Sequence, residues 1–239
     1  MKILILQNRM GIGDMIMFLP FIEAISKKFK TPVTILAKKN TKVEMYFNNK
    51  EIVEEIMYLE REDNKKHSGV KGFFKLVNEL KLKKFDKVFI FNSSLRYFLI
   101  SKFSGIKEIF HYPLFKKKNQ QIIEAAKEFT LKSIGEDIES TPRLFLKEQD
   151  ILKAKKDHSI DQSITNIILG IGGSGKTKRV PASIFKSFMC KVLKSSNCRF
   201  FLVTGNNIDE LKIMDEIIES EYKEYCLSLI HISEPTRLR

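Results

Sequence analysis

The fold is decided by residues 3–14, which read ILILQNRMGIGD. The first four residues form a continuous apolar run, of the kind found in strands that are buried on both faces of a parallel sheet. Gly11 and Gly13 then allow a tight turn from strand to helix and a close approach of a ligand to the backbone. The stretch predicts the first unit of a doubly wound α/β fold, with Asp14 at the carboxyl edge of the sheet, where such folds bind ligands.

Apolar runs of strand length alternate with stretches of helical period through residues 1–150, which predicts a Rossmann-like lobe with a parallel sheet. The helical stripe over residues 16–29 contains Pro20, which predicts a kink or a helix that settles only after it. We expect one helix to bury a face made of Phe73, Phe74, Val77 and Leu80. The predicted strands are 3–6, 33–37, 56–59, 88–91 and 108–111, and the other predicted helices are 41–47, 95–103 and 121–134.

A second, shorter βα pattern follows a highly charged link at residues 147–162, which we expect to be partly helical. It predicts strands at 167–169 and 200–203 and helices at 184–193 and 208–218. These units only open a second Rossmann-like sheet, so we place an incomplete second lobe at residues 164–226.

The last residues are set apart from this pattern. Residues 227–237 read LSLIHISEPTR, which resembles the translation of an adapter used in DNA sequencing libraries. We therefore expect residues 227–239 to be a non-native tail and the natural reading frame to end near Cys226.

Composition narrows the classes of protein. The hydrophobic fraction of 43% can fill a core, and no apolar run approaches the roughly eighteen residues that a membrane span needs. Three cysteines form no C-x-x-C pair and no closed disulfide set, so we expect a reduced, cytoplasmic setting. The net charge of +13 suits nucleic acid, but the lysines are scattered along the chain. We expect no nucleic-acid partner, since a basic surface equally attracts anionic sugars or lipid head groups.

Two motifs carry candidate chemistry, and Asp14 belongs to the first. Its carboxylate at a helix start is either a reactive group beside a ligand or a simple helix cap, and the residues alone leave both open.

The second motif is the glycine-rich stretch at residues 170–177, which read literally matches the phosphate-binding pattern G-x-x-x-x-G-K-[ST]. That pattern needs a helix running on from Lys176, and Pro181 would remove a backbone donor from it. A phosphate-binding loop followed by a helix that starts at Pro181 fits better, with Gly172, Ser174 and Lys178 facing a diphosphate. The alternative for Lys178 and Arg179 is a solvated basic pair.

Four segments resemble the heptosyltransferase family, glycosyltransferase family 9. They are residues 3–29 with Gly13-Asp14 and Leu19-Pro20, residues 86–113 with Asn92 to Arg96 and Gly105-Ile106, residues 168–181, and residues 200–205. The third is similar to the family's glycine-rich segment ending in Lys-Arg-Trp-Pro, although Val180 stands where the family usually has tryptophan. The likeness runs from Met1 to near Asp215, and the order of the segments is more specific than any one of them.

The resemblance implies a GT-B fold with one complete Rossmann-like lobe and the beginning of a second, and an active site in the cleft between lobes. It implies an inverting, metal-independent transfer of a sugar, expected to be heptose from ADP-heptose, to a lipopolysaccharide core acceptor. By the same likeness Asp14 is the general base, Gly11 and Gly13 lie at the substrate, and Gly172, Ser174 and Lys178 bind the donor phosphates, with no cofactor.

The family's Asp-[Ser/Thr]-Gly-x-x-His segment is absent from the sequence, so we expect this chain to bind donor poorly and to be inactive as it stands. The resemblance also implies a cytoplasmic enzyme with peripheral contact at the inner face of the inner membrane. A P-loop triphosphatase and a non-catalytic binder of anionic glycan or nucleic acid are the alternative functions.

Overall fold

The computed structural model describes residues 1–9, 11–47, 50–62, 64–113, 120–144, 146–172, 179–205 and 207–230. The chain divides into two compact units, Met1–Phe145 and Leu146–Arg239.

Unit 1 is a five-stranded parallel sheet with helices on both faces. Its strands have the order β3-β2-β1-β4-β5, so the order reverses between β1 and β4. In chain order the elements are β1 (Ile3–Gln7), α1 (Ile12–Ile16), α2 (Leu19–Phe29), β2 (Val33–Ala37), β3 (Val53–Tyr58), α3 (Gly69–Lys83), β4 (Lys87–Ile90), α4 (Leu95–Phe103), β5 (Glu108–His111) and α5 (Ile122–Ile134).

The central strand β1 is buried along its whole length because both faces of the sheet are covered. Ile3 and Ile5 pack into one core with residues of α1, α2 and α5. Leu4 and Leu6 pack into the other core with residues of α3 and α4. The apolar run that opens the sequence is thus divided between two cores by the alternation of its side chains.

Three local predictions need correction or refinement. The stripe over residues 16–29 is split into two helices, and Pro20 lies in the first turn of α2, where its missing N–H costs nothing. Residues 41–47 form no α-helix: two 3-10 turns, Lys39–Thr41 and Val43–Met45, are separated by Lys42 in the left-handed conformation at φ 48°.

The third correction concerns α3, where Phe74 does not belong to the buried face. Phe73, Val77 and Leu80 recur at helical spacing on the side of the core, whereas Phe74 is rotated by about 100° from Phe73. Phe74 is 58% exposed as a result.

Unit 2 contains a three-stranded parallel sheet of order β6-β7-β8. Its core is formed by residues of β6, β7, α7 and α8, with Leu202 and Met189 among the most deeply buried. Strand β8 was not predicted, since residues 227 onward were set aside as a tail; residues 227–230 pair with β7, and residues 231–239 lie outside the described residues. The elements are α6 (Glu148–Asp157), β6 (Thr165–Gly170), α7 (Ala182–Leu193), β7 (Cys198–Thr204), α8 (Ile208–Ile218) and β8 (Cys226–Ile230).

Candidate functional site

The switch point of the unit 1 sheet lies between the carboxyl ends of β1 and β4. The two strands pair in parallel register up to Leu6 and Ile90, and Phe91 N then donates to Leu6 O at 3.0 Å. In open α/β sheets the helices diverge at such a point and leave a crevice for a ligand. The turn that leaves β1 at this crevice carries Gly11, Gly13 and Asp14.

The turn after β1 needs glycine at position 11 and leaves open space at position 13. Gly11 is the N-cap of α1 with φ 107°, a conformation that side chains rarely adopt. A Cβ at Gly13 would meet no atom within 4 Å. The exposed backbone at this turn is therefore accessible to a ligand.

Asp14 lies in the first turn of α1, half-buried, and does not cap the helix. No side chain of the described residues makes a capping hydrogen bond to α1. Within the described residues the Asp14 carboxylate takes part in no hydrogen bond or ion pair, and its Oδ2 lies 4.0 Å from the place of a Cβ on Gly11. Of the two interpretations that the sequence left open, this geometry favours a carboxylate available to a ligand over a structural cap.

Buried polar groups that sequence reasoning missed lie at the same strand ends. Gln7 is fully buried; its Oε1 accepts the Arg9 N–H, and its Nε2 has no partner among the described residues. The Tyr112 ring packs on Phe91 and Phe129, its hydroxyl has no partner there either, and burial raises the pKa of Tyr112, with Arg9 acting in the opposite direction. The sequence could have indicated both residues, because each lies at the carboxyl end of a predicted strand, β1 or β5, where such folds bind ligands.

His111, which closes β5, has a structural partner. Its Nε2 lies 3.2 Å from Ser94 O, and its ring meets the Phe98 ring edge-on at 5.7 Å. Burial lowers the pKa of His111, although hydrogen bonds to the backbone oppose this. These contacts attach the end of β5 to the start of α4.

In unit 2 the strand ends enclose a buried carboxylate, that of Glu210. Its Oε2 accepts from Gly205 N at 3.2 Å and lies 3.3 Å from Thr204 Oγ1. The same oxygen lies 3.0 Å from the place of a Cβ on Gly172, so a side chain there would press against it. The glycines at the ends of β6 and β7 thus make room for Glu210.

Arg179 is tied to α8 and is not a solvated side chain. Its Nη1 donates to Asp209 Oδ2 at 2.6 Å, and its Nε lies 3.8 Å from Glu210 Oε1. Only 12% of the Arg179 side chain is exposed. Arg179 therefore links the segment before α7 to the start of α8.

The remaining donor-side residues can be located only in part. Gly172 lies at the end of β6, whereas Ser174 and Lys178 lie outside the described residues. Helix α7 begins at Ala182 after Pro181, and Arg179 and Val180 are not helical. A P-loop would need a helix continuous from Lys176, and this arrangement does not provide one.

Two further features are absent from the part of the chain that the structure describes. There, no three side chains of His, Cys, Asp or Glu are grouped as metal ligands would be. None of the helices described has the length and apolar character of a membrane-spanning segment.

No protein-family model matches the chain, and no curated protein sequence matches it. Solved structures do match its fold. A glycosyl transferase family 9 structure from Veillonella parvula DSM 2008 aligns over 95% of this chain and 69% of its own, with 15% identity and a TM-score of 0.69.

Two Escherichia coli structures give the same result. ADP-heptose LPS heptosyltransferase II aligns over 96% of this chain and 72% of its own, with 17% identity and a TM-score of 0.63. Heptosyltransferase WaaC with ADP aligns over 96% and 75%, with 15% identity and a TM-score of 0.61. At such identities the likeness establishes the fold, which is α/β with parallel sheets as in GT-B glycosyltransferases, and the predicted fold class is confirmed.

Proposed function

We propose that this chain is a glycosyltransferase of the heptosyltransferase type, which moves heptose from ADP-heptose to a lipopolysaccharide core acceptor. The similar structures include an ADP-heptose LPS heptosyltransferase and a heptosyltransferase with ADP, which supports a nucleotide-sugar donor. In this proposal the protein is cytoplasmic, with peripheral contact at the inner face of the inner membrane.

The observation that carries the proposal is the Asp14 carboxylate, half-buried and without a partner among the described residues, at the switch point of unit 1. In an inverting transfer an acceptor hydroxyl attacks the anomeric carbon, the bond to the diphosphate breaks, and a base takes the hydroxyl proton. A carboxylate at the mouth of an α/β sheet can be that base. The open backbone at Gly11 and Gly13 lets a sugar approach it.

On the donor side, Gly172, Ser174 and Lys178 would bind the diphosphate. Backbone N–H groups and a lysine can stabilise the charge that develops on the leaving group without a metal ion. In this proposal Arg179 does not bind phosphate itself, because Asp209 and Glu210 already hold its guanidinium. It fixes the segment that carries Lys178.

We also propose that the 239 residues alone bind the donor poorly and are inactive, because they contain no Asp-[Ser/Thr]-Gly-x-x-His segment to contact the donor. The test therefore measures ADP release from ADP-heptose, with a lipopolysaccharide core acceptor, on a gene product extended by that segment. Asp14→Asn keeps the size of the side chain and removes the base, so kcat should fall about 10²- to 10⁴-fold while acceptor binding persists.

Asp150→Asn, on the exposed helix α6, is the matched control and should leave turnover unchanged. Equal turnover of the Asp14→Asn and unsubstituted proteins would remove Asp14 from the mechanism. Absence of ADP release from the extended protein would overturn the transferase proposal itself.

A further inference from the structure

The outward face of α3 is unusual for a helix that covers a sheet. Three of its apolar side chains point away from the core: Val70 is 72% exposed, Phe74 58% and Leu82 82%. With 3.6 residues per turn they fall within an arc of about 140° that also contains Lys71, Lys75 and Lys81. The inner face of the same helix is separately buried, with Leu76 and Leu80 in the core.

Helix α4 extends this surface. Phe103 is 61% exposed, and its ring lies 6.1 Å from that of Phe73, which in turn lies 5.2 Å from the ring of Phe74. Lys102 beside it is exposed. The α3–α4 patch is defined by these exposed residues of both helices, namely Val70, Lys71, Phe74, Lys75, Lys81, Leu82, Lys102 and Phe103.

The charge of the patch is uncompensated. Helices α3 and α4 contain one carboxylate, Glu79, which lies about 40° outside the arc and binds Lys66 at 2.8 Å and His67 at 3.1 Å. Among the residues that the structure describes, none forms an ion pair with Lys71, Lys75, Lys81 or Lys102. The patch therefore presents exposed aromatic and aliphatic groups among charges that are all positive.

An anionic lipid surface matches both properties at once. Aromatic and aliphatic side chains gain by entering the boundary between head groups and acyl chains. Lysines on the same face extend their ammonium groups to the lipid phosphates, while their methylene stems lie along the apolar surface. The core of a protein–protein interface is instead depleted in charged residues, and here four lysines lie among the apolar side chains.

We propose that the α3–α4 patch docks unit 1 on an anionic phospholipid bilayer, with Phe74 and Phe103 entering the interface and the four lysines contacting lipid phosphates. This inference does not depend on the proposed transferase activity. It assigns membrane contact to particular residues.

Helix α6 supplies a matched control surface. It also exposes a large apolar side chain, Leu152, together with lysines, but its charges are mixed, because Glu148, Asp150 and Asp157 lie among them. Charge reversal at Lys153 and Lys155 changes the net charge of the protein as much as reversal at two patch lysines does. It does so on a surface that carries both positive and negative charges.

The test is co-sedimentation of the full chain with vesicles of phosphatidylcholine that contain about a quarter phosphatidylglycerol, and with vesicles of phosphatidylcholine alone. We expect binding to the anionic vesicles, weakening as salt rises. Lys71→Glu/Lys75→Glu should lower the partition coefficient about tenfold or more, whereas Lys153→Glu/Lys155→Glu should leave it within about twofold. Phe74→Ser/Phe103→Ser should weaken binding at low and at high salt.

All four substituted side chains of the patch are exposed, so the variants should fold, and circular dichroism with thermal melting checks this. Equal loss of binding in the patch and α6 variants would overturn the proposal, because net charge alone would then explain the binding. So would the same binding to uncharged vesicles. A dimer in light scattering that disappears in Phe74→Ser/Phe103→Ser, without any vesicle binding, would assign the patch to a second copy of the chain instead.

Discussion

Glu210 and Gly172 illustrate how closely one residue can constrain another across a chain. Glu210 is a buried carboxylate whose Oε2 accepts from Gly205 N, and the absent side chain of Gly172 leaves space for that oxygen. An unpaired buried carboxylate is costly, so these contacts help to stabilise the folded position of Glu210. The fold therefore favours glycine at position 172 for the space that Glu210 needs, independently of any contact with phosphate.

Gly172→Ala should destabilise unit 2 by about 1 kcal/mol, because the new Cβ lies 3.0 Å from Glu210 Oε2 and displaces it from the Gly205 amide. Urea denaturation of the single variants and of the Gly172→Ala/Glu210→Ala pair measures the coupling. In the Glu210→Ala background the cost of Gly172→Ala should fall below about 0.5 kcal/mol. Gly170→Ala is the control, with open space at its Cβ. A cost that is the same in both backgrounds would contradict this explanation.

Some residues of the candidate site could be predicted from the sequence, whereas some of their contacts could not. Gly11, Gly13 and Asp14 could be found because one strand and its turn carry all three. The partners of Arg179 could not, since Asp209 lies thirty positions further on and only the parallel crossover brings it near. From the sequence alone, Arg179 is compatible with a solvated side chain, and only the placement of α8 shows its partner Asp209.

At the scale of elements, α3 is attached to unit 1 at its start by a compact polar cluster. The buried His67 ring accepts from Glu60 N at Nδ1, at 3.1 Å, which leaves Nε2 as the donor to Glu79 at 3.1 Å. Arg96 of α4 donates to the carbonyl oxygens of His67 and Gly69. The helix that carries the α3–α4 patch is therefore fixed to its neighbour by side chains that face inward.

Glu79 should make the attachment of α3 sensitive to acid. Burial acts to raise the pKa of Glu79, but hydrogen bonds from Lys66 and His67 and the charge of Lys66 outweigh it, so the pKa lies below its usual value. A carboxyl with a lowered folded pKa adds stability above its unfolded pKa of about 4.3, and this is lost as pH falls through the folded pKa. The stability difference between the unsubstituted chain and Glu79→Gln should be constant above about pH 5 and shrink below about pH 4.3. Urea midpoints between pH 3 and pH 7 measure it, and a difference that grows in acid would contradict the assignment.

Element prediction succeeded where the local pattern was unambiguous. Helix α4 and strand β5 begin and end where the sequence predicted, because their apolar runs are bounded by polar or glycine residues. The helix predicted at residues 41–47 was wrong. An apolar spacing compatible with a helix is also compatible with two short turns joined at a left-handed Lys42. Phe74 misled because periodicity does not state which of two adjacent phenylalanines faces the core.

At the scale of the whole molecule, each of the two units has its own core. The cores of unit 1 lie on either side of one five-stranded sheet, and that of unit 2 is built on a separate three-stranded sheet. A compact unit with its own core can unfold as a cooperative unit. The two variants above then serve as reporters, since Glu79 lies in unit 1 and Gly172 in unit 2.

Hydrogen exchange followed by mass spectrometry, at rising urea concentration, should therefore resolve two unfolding transitions. Gly172→Ala should lower the protection of peptides from β6 and β7 and leave those from β1 and β4 unchanged, because its strain is confined to the contacts of Glu210. Glu79→Gln at pH 7 should lower the protection of peptides from unit 1, with the loss centred on α3, and leave those from β6 and β7 unchanged. If either variant instead lowered protection in both sets of peptides by the same amount, the two cores would unfold together as one cooperative structure. The two compact units would then not be independent units of stability.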